Sequence, residues 1–339
     1  MKLGGKCCFF AHESKKQLQQ EQYTAQDIKI LKELGFSVVV ATTFKEIPWG
    51  CDLYFSWWAS GSILPLIKAK LLKKPIIVVA GGQEAMLNRD SVTNEPIGYL
   101  AAPWYKKIAT RICLRYSARA LVVSSYMIKD VKKLGAVKPL VVYNCVNTKN
   151  FDLADLPRTV VTMMFDFYEN VVRIKRGETF IRSVPMVLQY FPEQKFIIIG
   201  KKGDAYKRLK KMIFNLGIEK NIKFIGRINA SQVPHYLQSS RAYVQISDTE
   251  TFGLGVAEAM SCGTPVIVSK RGAIPEVVGD CGIYVNHNNS ESVASGIISL
   301  LRKNEAECRE IGLRARKRIV NKFSYEQRKK SIKQTIENI

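Results

Sequence analysis

The chain has 339 residues, 47% of them hydrophobic, with 52 lysines and arginines against 29 aspartates and glutamates. This length accommodates two domains of ordinary size, and no apolar run reaches the ~18–20 residues that a membrane-spanning helix needs. The formal charge of +23 is spread over both halves and favours anionic partners such as nucleic acid, phosphorylated substrates or acidic lipid surfaces.

The first predicted strand is KCCFF, within Gly5–Ala11. The apolar core around it, CCFFA, is too short for a secretory signal, so a soluble, cytoplasmic protein is expected. Ala25–Leu34 reads as a helix ending at Gly35, followed by strand SVVVAT. Then come strand DLYFSWW, a helix around Ile63–Leu72, strand PIIVVAG, and a long, mostly helical stretch to Ser117. Strand ALVVSS, a short helix and strand LVVYN complete the series. A polar segment with a proline, NTKNFDLADLPRT, reads as a linker. The second series runs VVTMMFD, a helix over Gly177–Tyr190, KFIIIG, a helix near Ala205–Leu216, IKFIG, a helix from Ser231, AYVQIS, a helix near Gly255–Ser261, PVIVS and GIYV. Strands alternating with helices imply parallel βαβ units. Continuously apolar strands such as IIVVA suit a sheet covered on both faces. The expectation is α/β: two Rossmann-like domains, 1–150 and 156–322, facing each other across a cleft, with ligands beyond the carboxyl ends of the strands.

The eight cysteines form no C-x-x-C pair, so zinc and dithiol sites have no support. Buried, reduced thiols are the expected state.

The segment SDTETFGLGVAEAMSCGTPVIVS, Ser247–Ser269, places Glu250 and Glu258 on either side of a glycine-rich loop. Gly253 and Gly255 admit a close approach of backbone to ligand. A helix opening there offers free N–H groups and a positive dipole end to a phosphate. Glu258 in its first or second turn can accept two hydroxyl hydrogen bonds, as from a ribose diol, with another hydroxylated group near Glu250. Two glutamates at a helix start also read as ordinary complements to the helix dipole.

The run from Glu250 through Val268, continued by RGAIPEVVGDCGIYV, resembles the E-x7-E segment of retaining glycosyltransferases of family 4, which have the GT-B fold. VVYNCVNTKNF is similar to that family's interdomain joint, and KFSYEQ to the segment leading a last helix, here 323–339, back onto the first domain. The resemblance is strong over residues 140–330. It implies that Glu258 holds the donor ribose and Glu250 contacts the transferred sugar, with backbone N–H groups around Phe252, Gly253 and Leu254 on the sugar or diphosphate. The family's basic pair for the diphosphate falls in ENVVRIKRGETF: Arg176 precedes Gly177, Lys175 lies beside it, and Arg173 substitutes for an earlier arginine. Cations on a leaving diphosphate do the work that a metal would otherwise do, and no D-x-D occurs in the chain. The resemblance therefore implies no metal and no cofactor beyond the nucleotide-diphosphate sugar as co-substrate.

The first domain departs from the family. None of His12, His235 and His287 follows PIIVVA, where the family keeps a histidine. Glu84 stands at an acidic position that some members have, and with Gln83 it reads either as facing the acceptor or as a helix-start glutamate. FFAHESKKQLQQEQ replaces the family's glycine-rich loop and puts His12 at a strand end. Ser124 and Ser125, which close ALVVSS at a strand end, stand where the family keeps a small hydroxyl residue facing the cleft. From Pro96 to Lys129 there is no acidic residue. Lys107, Arg111, Arg115 and Arg119 recur every four positions beside Trp104, Tyr105, Ile108 and Ile112, a pattern suited to an anionic membrane surface or to a solvated basic face.

The expected function is retaining transfer of a hexose, of glucose or mannose type, from a nucleotide-diphosphate sugar to an acceptor hydroxyl in the synthesis of a cell-surface glycan, glycolipid or polysaccharide. The acceptor is a glycan, a lipid-linked or a small molecule, and the location is cytoplasmic, with peripheral association at the inner face of the membrane. The rivals are a sugar-nucleotide-binding protein impaired in catalysis and a basic nucleic-acid-binding protein. Against the latter stand the even charge distribution and the lack of a nucleic-acid module.

Overall fold

A computed structural model describes residues 1–14, 18 and 22–339. The chain forms two compact units, Met1–Cys145 with Tyr325–Ile339 and Val146–Ser324.

The first unit runs β1 (Gly5–Phe10), α1 (Gln22–Glu33), β2 (Phe36–Ala41), β3 (Leu53–Trp57), α2 (Ile63–Leu71), β4 (Ile76–Ala80), α3 (Trp104–Tyr116), β5 (Arg119–Val122), α4 (Ile128–Lys133) and β6 (Leu140–Val141). The second runs β7 (Val160–Met164), α5 (Glu169–Lys175), α6 (Gly177–Leu188), β8 (Lys195–Ile199), α7 (Tyr206–Asn215), β9 (Ile222–Gly226), α8 (Val233–Gln238) and β10 (Ser240–Gln245). It continues with α9 (Leu254–Ser261), β11 (Val266–Ser269), α10 (Ile274–Val278), β12 (Gly282–Val285), α11 (Ser290–Leu301) and α12 (Glu305–Lys322). The last helix, α13 (Tyr325–Glu337), returns to the first unit.

The strand order is β2-β1-β3-β4-β5-β6 in the first sheet and β12-β11-β10-β7-β8-β9 in the second, and the paired strands of both are parallel. Each order reverses once, between β1 and β3 and between β7 and β10. These are the switch points beyond which doubly wound sheets take ligands. The central strands β3 and β4 are buried along their whole length, as strands covered by helices on both faces must be. The second core joins Val161 and Met163 of β7, Phe196 and Ile198 of β8 and Val244 of β10 to Phe180, Ile181, Val184 and Val187. The last four are one face of α6 at helical spacing. The eight cysteines are buried and free, and burial pushes the Cys8, Cys113, Cys145 and Cys262 thiols up to about 12.

Two expectations are corrected. The stretch before Ser117 is helical only from Trp104. Pro96 and Pro103 lack a backbone donor, Asn94 and Gly98 take positive φ, and residues 86–103 turn instead of coiling. The passage between units falls at Cys145–Val146 and not at residue 150, and the segment predicted as a linker is part of the second unit. Phe151 is buried there, its carbonyl accepts from Ser261 Oγ at 2.6 Å and from Arg316 Nη1 at 2.9 Å, and Asp152 pairs with Arg316 at 2.6 Å.

Candidate active site

Two loops meet at the switch point of the second sheet. One follows β10 and carries Ser247 to Gly253. The other is the α5–α6 junction after β7, where Arg176 takes the left-handed conformation, φ 55° and ψ 39°. The Asp248 N–H donates to the Ile174 carbonyl at 2.8 Å. This bond sets Lys175 and Arg176 over the β10 loop.

The loop holds two acidic centres. Glu250 Oε1 accepts from Lys175 Nζ, from Gln245 Nε2 at 2.8 Å and from Ser247 Oγ at 2.9 Å. Asp248 is buried. Arg176 Nη2 lies 3.4 Å from its Oδ2, while Arg271 Nη2 at 3.4 Å and His287 Nε2 at 2.9 Å face its Oδ1. A buried carboxylate needs such partners. Here it collects them from the α5–α6 junction, from the loop after β11 and from beyond β12. Arg176 is thus turned inward onto Asp248 and Lys175 onto Glu250. Arg176 Nη1 also donates to the Arg173 carbonyl at 3.2 Å, which ties its guanidinium to the backbone of α5.

Helix α9 begins at Gly253, whose φ of 92° only glycine adopts without strain. A Cβ there would stand 2.8 Å from Ile274 Cδ1, and one at Gly255 would stand 2.6 Å from Tyr243 Oη. The helix therefore packs this closely only with glycine at both positions. The first N–H groups of any helix have no partner within it, and no side chain caps this one. Glu258 is buried one turn on from Gly255, so the two share a face. The Tyr243 hydroxyl is raised well above its usual range, first by burial and then by Glu258 and Glu250. The phenol donates to Gln245 Oε1 at 3.0 Å, and Gln245 Nε2 in turn donates to Glu250. Phe252 turns away into the core and meets Phe323 edge to face at 5.5 Å, leaving only its backbone for a ligand. Among the described residues, no group of three His, Cys, Asp or Glu side chains is placed to hold a metal.

The remaining predicted residues lie in the first unit. Gln83 and Glu84 form a short turn after β4. Burial pushes the Glu84 carboxyl up to about 7, against the opposing pull of the N–H groups of Glu84, Ala59 and Gly82. Ser124 is fully buried beyond β5, and His12 is exposed beyond β1. On α3, Trp104, Tyr105, Ile108 and Tyr116 are half or more exposed, and Arg111 and Arg115 are exposed with Lys107 partly so. Arg111 Nε donates to Tyr99 Oη at 3.0 Å. Arg119 does not continue the helical series. It opens β5 and donates to the Asn338 carbonyl at 2.7 Å. Among the described residues, no helix is long and apolar enough to cross a membrane.

Sequence reasoning passed over Gln245, Ser247, Asp248, Arg271 and His287. Asp248 stands two residues before Glu250, but its partners come from far along the chain, and His287 is 39 residues away. Only the sheet order β12-β11-β10 brings the carboxyl ends of β12 and β10 within reach of each other.

Two doubly wound units, the second carrying a glycine-opened helix and paired glutamates at its switch point, define an α/β protein of the GT-B kind. Residues 164–318 match the family described as Glycosyl transferases group 1. The chain is 30% identical over 159 residues to N-acetyl-alpha-D-glucosaminyl L-malate synthase of Bacillus anthracis, a match covering 46% of this chain and 40% of that one. It is 26% identical over 207 residues to phosphatidyl-myo-inositol mannosyltransferase of Mycobacterium leprae, covering 59% and 52%. The chain thus spans about half the length of these relatives. The structure of Anabaena HepE in complex with UDP and glucose aligns over 99% of this chain and 100% of that one, with a TM-score of 0.78 and 16% identity.

Proposed function

We propose that the protein transfers a hexose from a nucleotide-diphosphate sugar to an acceptor hydroxyl with retention of anomeric configuration. The observation that carries this reading is Glu250 in the loop before the uncapped start of α9 and Glu258 buried within that helix, at the switch point of the second sheet. The donor diphosphate lies at the α9 N–H groups, where the helix dipole favours negative charge. The buried Glu258 accepts the two ribose hydroxyls. Glu250, held by Lys175, Gln245 and Ser247, accepts from a hydroxyl of the transferred sugar. In the reaction the bond from the sugar's anomeric carbon to the diphosphate oxygen breaks and a bond to the acceptor oxygen forms. The acceptor proton passes to the leaving diphosphate. Lys175, Arg173 and Arg176 supply positive charge beside that diphosphate, and the reaction runs without a metal. A HepE structure with UDP and glucose supports a donor of this class.

On the acceptor side, Glu84, whose carboxyl burial raises to about 7, orients the acceptor, with Gln83, Ser124 and His12 at the ends of neighbouring strands. The exposed aromatic and basic residues of α3 support peripheral docking on an anionic cytoplasmic membrane face, in keeping with glycolipid or cell-surface glycan synthesis. The test is binding and slow hydrolysis of a panel of UDP-, GDP- and ADP-sugars. One donor should bind selectively and be lost in Glu258→Ala. Binding of no donor by the wild type would overturn the proposal.

A further inference from the structure

We propose that the first unit contains a subsite for a neutral, hydroxylated ring, with the indole of Trp58 as its platform and the carboxyl groups of Glu13 and Glu84 as acceptors for its hydroxyls. This rests on the transfer reading above and narrows it: the part of the acceptor held here is a sugar or sugar-like polyol that bears no phosphate or carboxylate.

The three residues follow the carboxyl ends of β1, β3 and β4, and β1 and β3 are where the first sheet reverses its order. Trp58 has φ 68° and ψ 102°, a conformation rare for a bulky side chain and one that marks functional positions when its surroundings impose it. The surroundings do impose it. Its N–H donates to the Val79 carbonyl at 3.0 Å, its indole Nε1 donates to Glu13 Oε1 at 2.8 Å, and Tyr23 and Trp57 meet its ring edge to face at 5.7 and 5.5 Å. Glu84 lies at the other edge of the indole. A Cβ on Gly82 would stand 2.6 Å from Glu84 Oε2 and 2.8 Å from Trp58 Cζ3. One half-buried indole is therefore flanked by a carboxyl group on its pyrrole side and another on its six-membered side.

Each carboxyl group has one oxygen to spare. Glu13 Oε2 and Glu84 Oε1 are buried and accept no hydrogen bond among the described residues, and neither does the hydroxyl of the fully buried Ser124. Ser124 stands two residues beyond Val122, the register partner of Ala80, level with Gly82. Buried polar atoms left without partners are costly and call for a ligand or water. An ionised carboxylate only accepts hydrogen bonds, so the ligand must bring donors. Hydroxyls do so, while a phosphate would add like charge. Two carboxyl groups beside an indole would also suit a cation, whose approach the chain's charge of +23 opposes, and choline is therefore the competing ligand in the test. The apolar face of a sugar ring fits a flat indole, and the titration of Glu84 near pH 7 lets this carboxyl accept or donate.

The experiment titrates the full chain, saturated with UDP, with methyl glycosides of glucose, mannose, galactose and N-acetylglucosamine, and with glycerol 3-phosphate, inositol 1-phosphate and choline. Tryptophan fluorescence and saturation-transfer NMR are the readouts. At least one neutral glycoside should saturate the protein, and Trp58→Ala and Glu13→Gln should each weaken it tenfold or more while UDP affinity stays within twofold. Glu13→Gln keeps the side chain's size, so the test survives a folding defect in Trp58→Ala. Saturation by no glycoside, equal binding by Glu13→Gln and wild type, or tighter binding of a phosphate or of choline would overturn the proposal. UDP binding is measured first and separately. If UDP fails to bind, the donor reading falls, and the glycoside titration is run without UDP and judged by the same criteria.

Discussion

The Arg328 guanidinium makes a two-point contact with the Asp27 carboxylate, 2.6 and 2.8 Å, with both side chains almost wholly out of solvent. Its remaining nitrogen donates to the Val142 and Tyr143 carbonyls at 3.0 and 2.6 Å, and Trp57 Nε1 gives Asp27 a further bond at 2.8 Å. The pair fastens α13 to α1 and to the chain beyond β6. Breaking one partner of such a pair leaves a buried charge. Arg328→Met should cost about 3–5 kcal/mol, read by urea unfolding, and Asp27→Leu with Arg328→Met should recover much of it.

Asp248 is the anchor of the second unit's site. Asp248→Ala leaves Arg176, Arg271 and His287 facing one another without their common acid. It should lower stability by about 3 kcal/mol, as for other broken buried charge networks, and should also weaken UDP binding in calorimetry. Arg271→Ala, whose partner keeps two other contacts and whose own side chain is partly exposed, should cost about 1 kcal/mol or less.

The start of α9 admits a rescue test. Gly255→Ala should clash with the Tyr243 hydroxyl and cost about 1–3 kcal/mol by overpacking. Tyr243→Phe removes the clashing atom, so the double variant should regain most of that loss. Gly253→Ala carries the added strain of its positive φ, and no neighbouring change should rescue it fully.

Burial raises the Glu84 carboxyl from 4.5 to about 7. The folded protein therefore holds this proton more tightly than the unfolded chain does. Below pH 4.5 the group is neutral in both states and costs nothing through its charge. Stability falls as pH rises from 4.5 through 7, by up to about 3 kcal/mol. Glu84→Gln should flatten that slope, gaining on the wild type at pH 8 and not at pH 4, as measured by thermal unfolding across the range.

The α3 surface predicts salt-sensitive attachment to vesicles containing phosphatidylglycerol and none to phosphatidylcholine alone. Each exposed cation contributes about 1 kcal/mol near an anionic surface. Charge reversal of Arg111 and Arg115 should abolish cosedimentation, and Trp104→Ala with Tyr105→Ala should weaken it at every salt concentration.

Much of the fold was readable because its strands are uninterrupted apolar runs. KFIIIG and IIVVA admit few other readings once amphipathic stretches separate them. The Glu250–Glu258 loop was readable because its glycines, helix start and carboxylates are contiguous. What escaped was long-range. The acid that organises Arg176, Arg271 and His287 is one short residue among several, and nothing local distinguishes it. The Trp58 platform escaped for a similar reason: Glu13, Trp58 and Glu84 stand on three strands that are adjacent only in the folded sheet. The stretch before α3 departs from the helix expected of it because Pro96, Gly98 and Pro103 decide its backbone.

The Val146 N–H donates to the Phe323 carbonyl at 2.9 Å, and Val146 bridges to Ser324. The second unit thus begins and ends at one hydrogen-bonded point. It is a cassette with both ends tied together, carried within a single interruption of the first unit. A gene fragment for residues 146–324 should therefore specify a self-contained piece, and the flanking segments should rejoin across a spacer of only a few residues. If the proposed donor site is right, donor binding should then be measurable in that piece alone.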